Sequence, residues 1–285
     1  MKTRHLFFAA LTAATALASC SEEDSMARKN EAPLQITTSI PSLTRAAISG
    51  TQLPEGAQIG VSVVNPDGSD YDGIALYKNV MYTKNTGWST QTPITLSTTI
   101  GKAIAYYPYS NAVADISAIP VETASQTDYL YSSWVNNISF DNPQANFTLN
   151  HALCAVQINL SNQSYTAGAG QVTKVAITSP ALATTATLNA QTGKLSAFAG
   201  QDGSITSNET FTLTQEPHAV TIMGIPTGAQ EAITVNMTID GEEITTPATI
   251  NSPIMQGKVY IINIKVNDVP LSTRVSSVDV QNIDK

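Results

Sequence analysis

The chain has 285 residues and a formal net charge of −8 at pH 7. Residues 46–285 carry 9 lysines and arginines against 18 aspartates and glutamates and show no basic patch, which argues against nucleic acid as a partner. These 240 residues are enough for two domains of ordinary size.

The N-terminus has the layout of a secretory signal. Lys2 and Arg4 give a basic start, and the apolar run over 6–18 is shorter than the roughly 20 residues that a membrane-spanning helix needs. Leu17-Ala18-Ser19-Cys20 is a lipobox, which predicts cleavage before Cys20 and lipidation of its thiol. The alternative is an ordinary signal followed by an incidental cysteine. We expect residues 1–19 to be a lipoprotein signal peptide and the precursor to be anchored in the outer membrane.

The segment after Cys20 predicts a tether followed by a β-strand. A polar spacer leads to Leu34, Ile36 and Ile40, which share one face if the chain is extended with a period of two. Arg45, followed by Ala46, is then an isolated basic residue.

The rest of the chain predicts strands with almost no helix, each bounded by Gly, Pro, Asn, Asp or Ser. The predicted strands cover 59–64, 73–82, 93–98, 102–109, 129–134, 147–149, 155–160, 172–178, 186–188, 205–213, 219–223, 233–239, 243–245 and 257–266. Asp240-Gly241 predicts a hairpin turn. Short strands at this spacing favour an all-β fold of two sandwiches, each of about seven strands over about 100 residues, with a boundary near His151.

No constellation of catalytic residues emerges from the pattern. Cys154 lies in an apolar string and is expected in the core. His151 has no partner at metal-ligand spacing, which favours a structural, hydrogen-bonded role. Asp67, Asp70 and Asp72 do not fit the register of a calcium loop. We therefore expect no enzyme activity, no catalytic residue, no metal and no cofactor.

Several stretches together resemble the fimbrillin family, the subunits of surface fimbriae in Gram-negative anaerobes. They are Ile59-Gly60-Val61, Gly87-Trp88, Ala105-Tyr106-Tyr107-Pro108-Tyr109, Asp128-Tyr129-Leu130-Tyr131, Phe147-Thr148-Leu149-Asn150-His151-Ala152 and Gly257-Lys258-Val259-Tyr260. The resemblance implies two transthyretin-like Greek-key β-sandwich domains in tandem, lipoprotein export, and proteolytic removal of an N-terminal strand after an arginine. It thus predicts a propeptide over 20–45, cleavage between Arg45 and Ala46 by an arginine-specific protease, and domains over 46–152 and 153–285.

The C-terminal tail, from about residue 267 to 285, is a candidate donor strand. Val269, Leu271 and Val275 alternate on one face, and Val278 with Val280 forms a second short set. A sandwich that loses an edge strand exposes an apolar groove that a strand of another chain can fill. The alternative is a terminal strand that pairs within its own domain.

In the fimbrillin family, an arginine site combined with such a tail implies a stalk-type subunit of a homopolymer, rather than an anchor or tip. A tip or accessory role is kept as an alternative.

A rival interpretation is a monomeric surface lipoprotein that binds glycans. Exposed aromatic side chains stack on sugars. The candidates are Tyr106, Tyr107, Tyr109, Tyr129, Tyr131 and Trp134. Such clusters more often fill a sandwich core.

Overall fold

The structure is a computed structural model that describes residues 30–41, 52–201 and 203–267 and the strand over 275–283. The described residues form an all-β protein, and their helices are two single turns of 3₁₀-helix, Tyr71–Gly73 and Ala75–Tyr77. No helix in these ranges is long and apolar enough to cross a membrane.

The first half of the chain has eleven strands in the described residues, and eight of them form one large sheet. The eleven strands are β1 (Ala32–Pro33), β2 (Gln35–Ser39), β3 (Gln58–Val64), β4 (Val80–Lys84), β5 (Trp88–Ser89), β6 (Thr95–Leu96), β7 (Gly101–Tyr107), β8 (Ile119–Glu122), β9 (Leu130–Ser132), β10 (Val135–Ile138) and β11 (Gln144–His151). The sheet order is β2-β11-β9-β7-β3-β4-β5, with β10 also paired to β7 and a separate β1-β6 pair. Its inner face contributes to a core that includes Ile59, Val61, Leu130, Phe147 and Leu149.

The second half forms two facing sheets. Its strands are β12 (Cys154–Ser164), β13 (Gln171–Thr178), β14 (Thr185–Asn189), β15 (Lys194–Ala199), β16 (Ser204–Ser207), β17 (Phe211–Thr212), β18 (His218–Gly224), β19 (Glu231–Ile239), β20 (Glu242–Ile250), β21 (Val259–Asn267) and β22 (Val275–Ile283). Sheet β18-β12-β21-β22 lies against sheet β16-β13-β19-β20, and β17 also pairs β13. Alternate residues of both sheets meet in one core, which is the arrangement of a β-sandwich.

A separate three-stranded sheet joins the two halves. Strand β8 from the first half pairs antiparallel with β14 from the second, and β15 completes the sheet. A separate core packs residues from both halves, among them Ile119, Val121 and Leu188. The amide of Gln126 adds a polar tie, because it accepts a hydrogen bond from Met223 N at 2.8 Å and donates one to Met223 O at 3.3 Å.

The strands up to β11 pair within the first half, and those from β12 onward pair within the second half. The exception is β8, which pairs with β14 across this point. The division into domains at 152 and 153 therefore stays a prediction.

Three predicted strands differ clearly from the structure, and the predicted hairpin is present. The strand expected over 93–98 is reduced to Thr95–Leu96, and the strands β5, β8, β10 and β15 are not among the predicted ones. The strand expected over 73–82 starts only at Val80, because the buried Tyr71 holds the preceding turns through its hydroxyl, which donates to Thr99 O at 2.7 Å. The strand expected over 205–213 is split, since β16 and β17 pair with successive parts of β13 and the residues between them loop out. Asp240 (φ 51°) and Gly241 (φ 84°) make the β19–β20 turn, where positive φ favours glycine.

We expect Leu188→Ala to destabilise both halves together, because this fully buried leucine belongs to the core that joins them. A buried Leu→Ala change costs about 2–5 kcal/mol of unfolding free energy. Denaturant unfolding followed by fluorescence and circular dichroism measures this loss.

Leu76→Ala is the matched control, because Leu76 is 75% exposed and its truncation should stay within about 0.5 kcal/mol. Separate transitions for the two halves in the wild type, only one of them shifted by Leu188→Ala, would contradict a shared core.

Candidate functional site at the N-terminal edge strand

Strand β2 is the outermost strand of the large N-terminal sheet, and it pairs in parallel with β11 alone. Ile36 lies opposite Ala145 and Thr38 opposite Phe147. The entry to the strand is fixed by Leu34 N, which donates to Ile94 O, and by Gln35 N, which donates to Pro143 O, both at 2.9 Å. One ladder of hydrogen bonds therefore holds the whole strand to the sheet.

The inward face of this segment closes the N-terminal core. Leu34 and Ile40 are buried and Ile36 is half-buried, with all three packed into the same cluster. Their partners on β11 include Ala145 and Phe147, which are almost completely buried. Removing β2 would uncover this apolar surface together with one edge of the β11 backbone, whose groups are costly to leave unpaired in a dry groove.

Thr38 is a polar residue in this otherwise apolar face. It is 7% exposed, and its hydroxyl oxygen is buried without a hydrogen-bond partner among the described residues. Its neighbour Thr37 is exposed and donates to Asn146 Oδ1 at 2.6 Å. A buried hydroxyl that forms no hydrogen bond costs about 1–3 kcal/mol, so β2 fits its place less well than an apolar strand would.

The end of the segment is held by His151, the last residue of β11. Its Nε2 lies 3.1 Å from Pro41 O, and its Nδ1 lies 2.6 Å from Asp128 Oδ2. Burial lowers the pKa of His151, but the hydrogen bond and charge of Asp128 and the Pro41 carbonyl outweigh it, and the pKa is raised overall. The hydrogen-bonded role expected for His151 is present, with partners that sequence spacing does not reveal.

The C-terminal strand β22 lies at the edge of the other half, where it pairs antiparallel with β21 of its own chain. Val278 lies opposite Ile264, Val280 opposite Ile262 and Val275 opposite Val266. The pairing expected as the alternative to donation is thus present in the isolated chain. Of the remaining predicted site residues, Cys20, Arg45, Ala46, Val269 and Leu271 lie outside the described residues.

The six aromatic candidates for glycan stacking differ in how far they are buried. Tyr106 and Tyr129 are buried, and Tyr106 donates its hydroxyl to Asn79 Oδ1 at 2.8 Å. The Trp134 ring is covered by the ammonium of Lys102, 4.7 Å from its centroid. Tyr107, Tyr109, Tyr131 and Trp134 are half-buried, so part of the predicted stacking surface stays accessible.

The described residues show neither a reactive thiol nor a cluster of metal ligands. Burial raises the pKa of the Cys154 thiol to about 12, which leaves no reactive thiolate near neutral pH. In the ranges that the structure describes, no three His, Cys, Asp or Glu side chains come together as metal ligands.

The comparisons with known proteins agree with this architecture. The fimbrillin-like family matches residues 44–282. A solved protein of Bacteroides uniformis, named for cell adhesion, is 21% identical and superposes with a TM-score of 0.66 over 88% of this chain and 98% of that chain. A second, from Bacteroides ovatus and named for the same role, is 16% identical with a TM-score of 0.66 over 89% and 96%.

At these identities the structural likeness shows the fold alone, and no curated protein matches this chain. The family match covers most of the sequence. The chain therefore belongs to the fimbrillin-like family.

Proposed function

We propose that this chain is a structural, non-enzymatic subunit of a cell-surface fimbria, and that it polymerises when strand β2 is replaced by the C-terminal strand of another subunit. The observation that carries the proposal is the placement of β2 and β22. They come from opposite ends of the chain and are the edge strands of two different sheets. An edge strand can leave without breaking the ladders of the inner strands.

Release of β2 requires that its covalent link to the body be cut. While residues 42–45 connect them, β2 rebinds at a high effective concentration, and cleavage after Arg45 turns it into a separate peptide that can diffuse away. The chain has arginines at 4, 28, 45 and 274, so none falls within residues 46–273. Between Ala46 and β22 an arginine-specific protease therefore finds its next site only at Arg274, directly before β22.

Replacement by an apolar donor is favoured by Thr38. A donor valine at the Thr38 position would bury no unpaired hydroxyl, and the C-terminal strand contains Val278 and Val280 at alternate positions. Main-chain hydrogen bonds to the edge of β11 would supply affinity, and alternate side chains would supply register. The tail segment with Val269, Leu271 and Val275 would extend the same insertion.

The direction of the contact favours a filament. A tail that leaves one subunit and enters the N-terminal groove of the next makes a head-to-tail contact, which propagates when it does not close on itself. A chain with both groove and tail suits a stalk-type subunit. We further infer two transthyretin-like Greek-key sandwiches, lipidation at Cys20 in an outer-membrane precursor, and a mature protein in surface fimbriae that serve cell adhesion.

We expect Arg45→Lys to block polymerisation. Lysine keeps the positive charge, but an arginine-specific protease does not cut after it. The covalent link between β2 and the body therefore stays intact. The chain from Ser21 is treated with such a protease, its new N-terminus is sequenced, and filaments are counted by electron microscopy.

Arg274→Lys is the control, because it removes the arginine of the tail and leaves Arg45 intact. It should polymerise at least as well as the wild type. Filaments of the Arg45→Lys protein that retain residues 30–41 would contradict the proposal.

We also expect Thr38→Val to hold β2 more tightly, because valine keeps the shape of threonine without its unpaired hydroxyl. The gain is about 1–3 kcal/mol, which should slow release of the cut strand and hence filament growth. Amide hydrogen exchange of residues 35–40 in the uncut chain measures the attachment, and light scattering measures the growth.

Thr37→Val controls for the change in side-chain type, since Thr37 is exposed and its hydroxyl is hydrogen-bonded. It should not increase protection of β2. Equal effects of the two variants would show that the unpaired hydroxyl of Thr38 does not weaken the attachment of β2.

A further inference from the structure

His151 joins the end of the N-terminal segment to the body of the protein. Its side chain is almost buried, and each ring nitrogen faces an oxygen: Asp128 Oδ2 at 2.6 Å and Pro41 O at 3.1 Å. Pro41 directly follows Ile40, the last buried residue of the N-terminal segment. The same imidazole thus contacts both the segment that must leave and the framework that remains.

The two contacts can be made together only by a protonated ring. A backbone carbonyl and an ionised carboxylate only accept hydrogen bonds, and a neutral imidazole carries a single N–H. With the proton on Nδ1, the lone pair of Nε2 would face the Pro41 carbonyl. With the proton on Nε2, the lone pair of Nδ1 would face the carboxylate.

The surroundings of Asp128 favour the ion pair. Its second oxygen, Oδ1, is buried without a partner among the described residues, so the imidazolium is the main compensation for this charge. After loss of one ring proton, the remaining N–H stays on Nδ1, because the charged carboxylate is a stronger acceptor than the carbonyl. The lone pair of Nε2 then faces the Pro41 carbonyl, and that hydrogen bond is lost.

We propose that His151 is a proton-dependent latch on the N-terminal strand: the imidazolium ties Pro41 to Asp128, and its deprotonation loosens β2 from the edge of β11. The contact itself is independent of polymerisation. Its meaning as a control on strand release rests on the proposed function.

The direction of the pH effect follows from linkage. Detachment of the strand removes the Pro41 carbonyl, which raises the His151 pKa, and also part of the burial, which lowers it. The latch requires the loss of the Pro41 contact to be the larger effect, so that the pKa is higher with the strand attached. Attachment is therefore strongest below both pKa values and weakens as pH rises through the attached-state pKa, which lies above the ordinary value near 6.5. Each unit of difference between the two pKa values weakens attachment about tenfold.

Other ionisable groups near the latch do not reverse this sign. Tyr107 on β7 feels the charge of Asp128, and burial together with that charge raises the pKa of its phenol, so it stays neutral in this range. Gly257 packs near the Cβ of His151, with Lys258 next in the chain, and neither contributes to the His151 pKa shift. Within residues 30–41, the one ionisable side chain is Glu31, at the far end of the segment.

The test is amide hydrogen exchange of residues 35–40 in the uncut chain from Ser21, between pH 6 and 9. Protection factors correct for the intrinsic pH dependence of exchange, and amides of β19 serve as an internal reference. We expect protection of β2 to fall relative to β19 as pH rises, by about tenfold for each unit by which the two pKa values differ. Unchanged relative protection would overturn the latch.

Two variants separate a latch from a merely structural histidine. Asp128→Asn can donate its amide to Nδ1, so a neutral ring protonated on Nε2 satisfies both contacts and should keep β2 protected at pH 9. His151→Gln should remove the pH dependence. If Asp128→Asn loses protection with rising pH as the wild type does, the proposal fails, even where His151→Gln does not fold.

A second readout links the latch to strand release and keeps the two proposals distinguishable. After cleavage at Arg45, the labelled N-terminal fragment should dissociate faster at pH 9 than at pH 6. A pH-dependent uncut chain that never polymerises would refute the proposed function alone. Filament formation with flat protection would refute the latch alone.

Discussion

The parallel pairing of β2 with β11 is the interaction on which the proposed assembly depends. It closes the apolar core of the N-terminal sheet with a strand that touches the sheet along one edge only. The contact is sufficient to bury Leu34 and Ile40, yet it includes the unpaired hydroxyl of Thr38. In the proposed function, such a strand protects the groove until it is replaced by one that fits better.

The body can lose this strand because its two halves are joined elsewhere. Strand β8 continues the sheet of β14, and a separate core packs Ile119 and Val121 against Leu188. None of these contacts involves β2. Removal of the segment before Ala46 would also remove β1 and its pairing with β6, whereas the ladders from β11 to β5 and the sheets of the second half would stay intact.

Sequence pattern and three-dimensional pairing contribute different parts of this account. Alternation at Leu34, Ile36 and Ile40 is a local property and predicts the strand, but its partner β11 lies more than 100 residues away, and no local signal encodes a parallel pairing. Strand β8 is short and contains Pro120, so the local sequence gives little sign of a strand. Its pairing with β14 is a long-range contact. Position 38 falls on the inward face by the same alternation, whereas the missing partner of its hydroxyl and the contact between His151 and Pro41 depend on tertiary packing.

A mixing experiment tests strand exchange most directly. The acceptor is a chain cut at Arg45 and lacking residues 268–285, and the donor is an uncut Arg45→Lys chain that keeps its tail. After removal of the protease, size-exclusion chromatography with light scattering gives the mass of each protein alone and of the mixture. The account predicts a one-to-one complex in the mixture and no polymer from either alone. No complex in the mixture, under conditions where the wild type forms filaments, would contradict it.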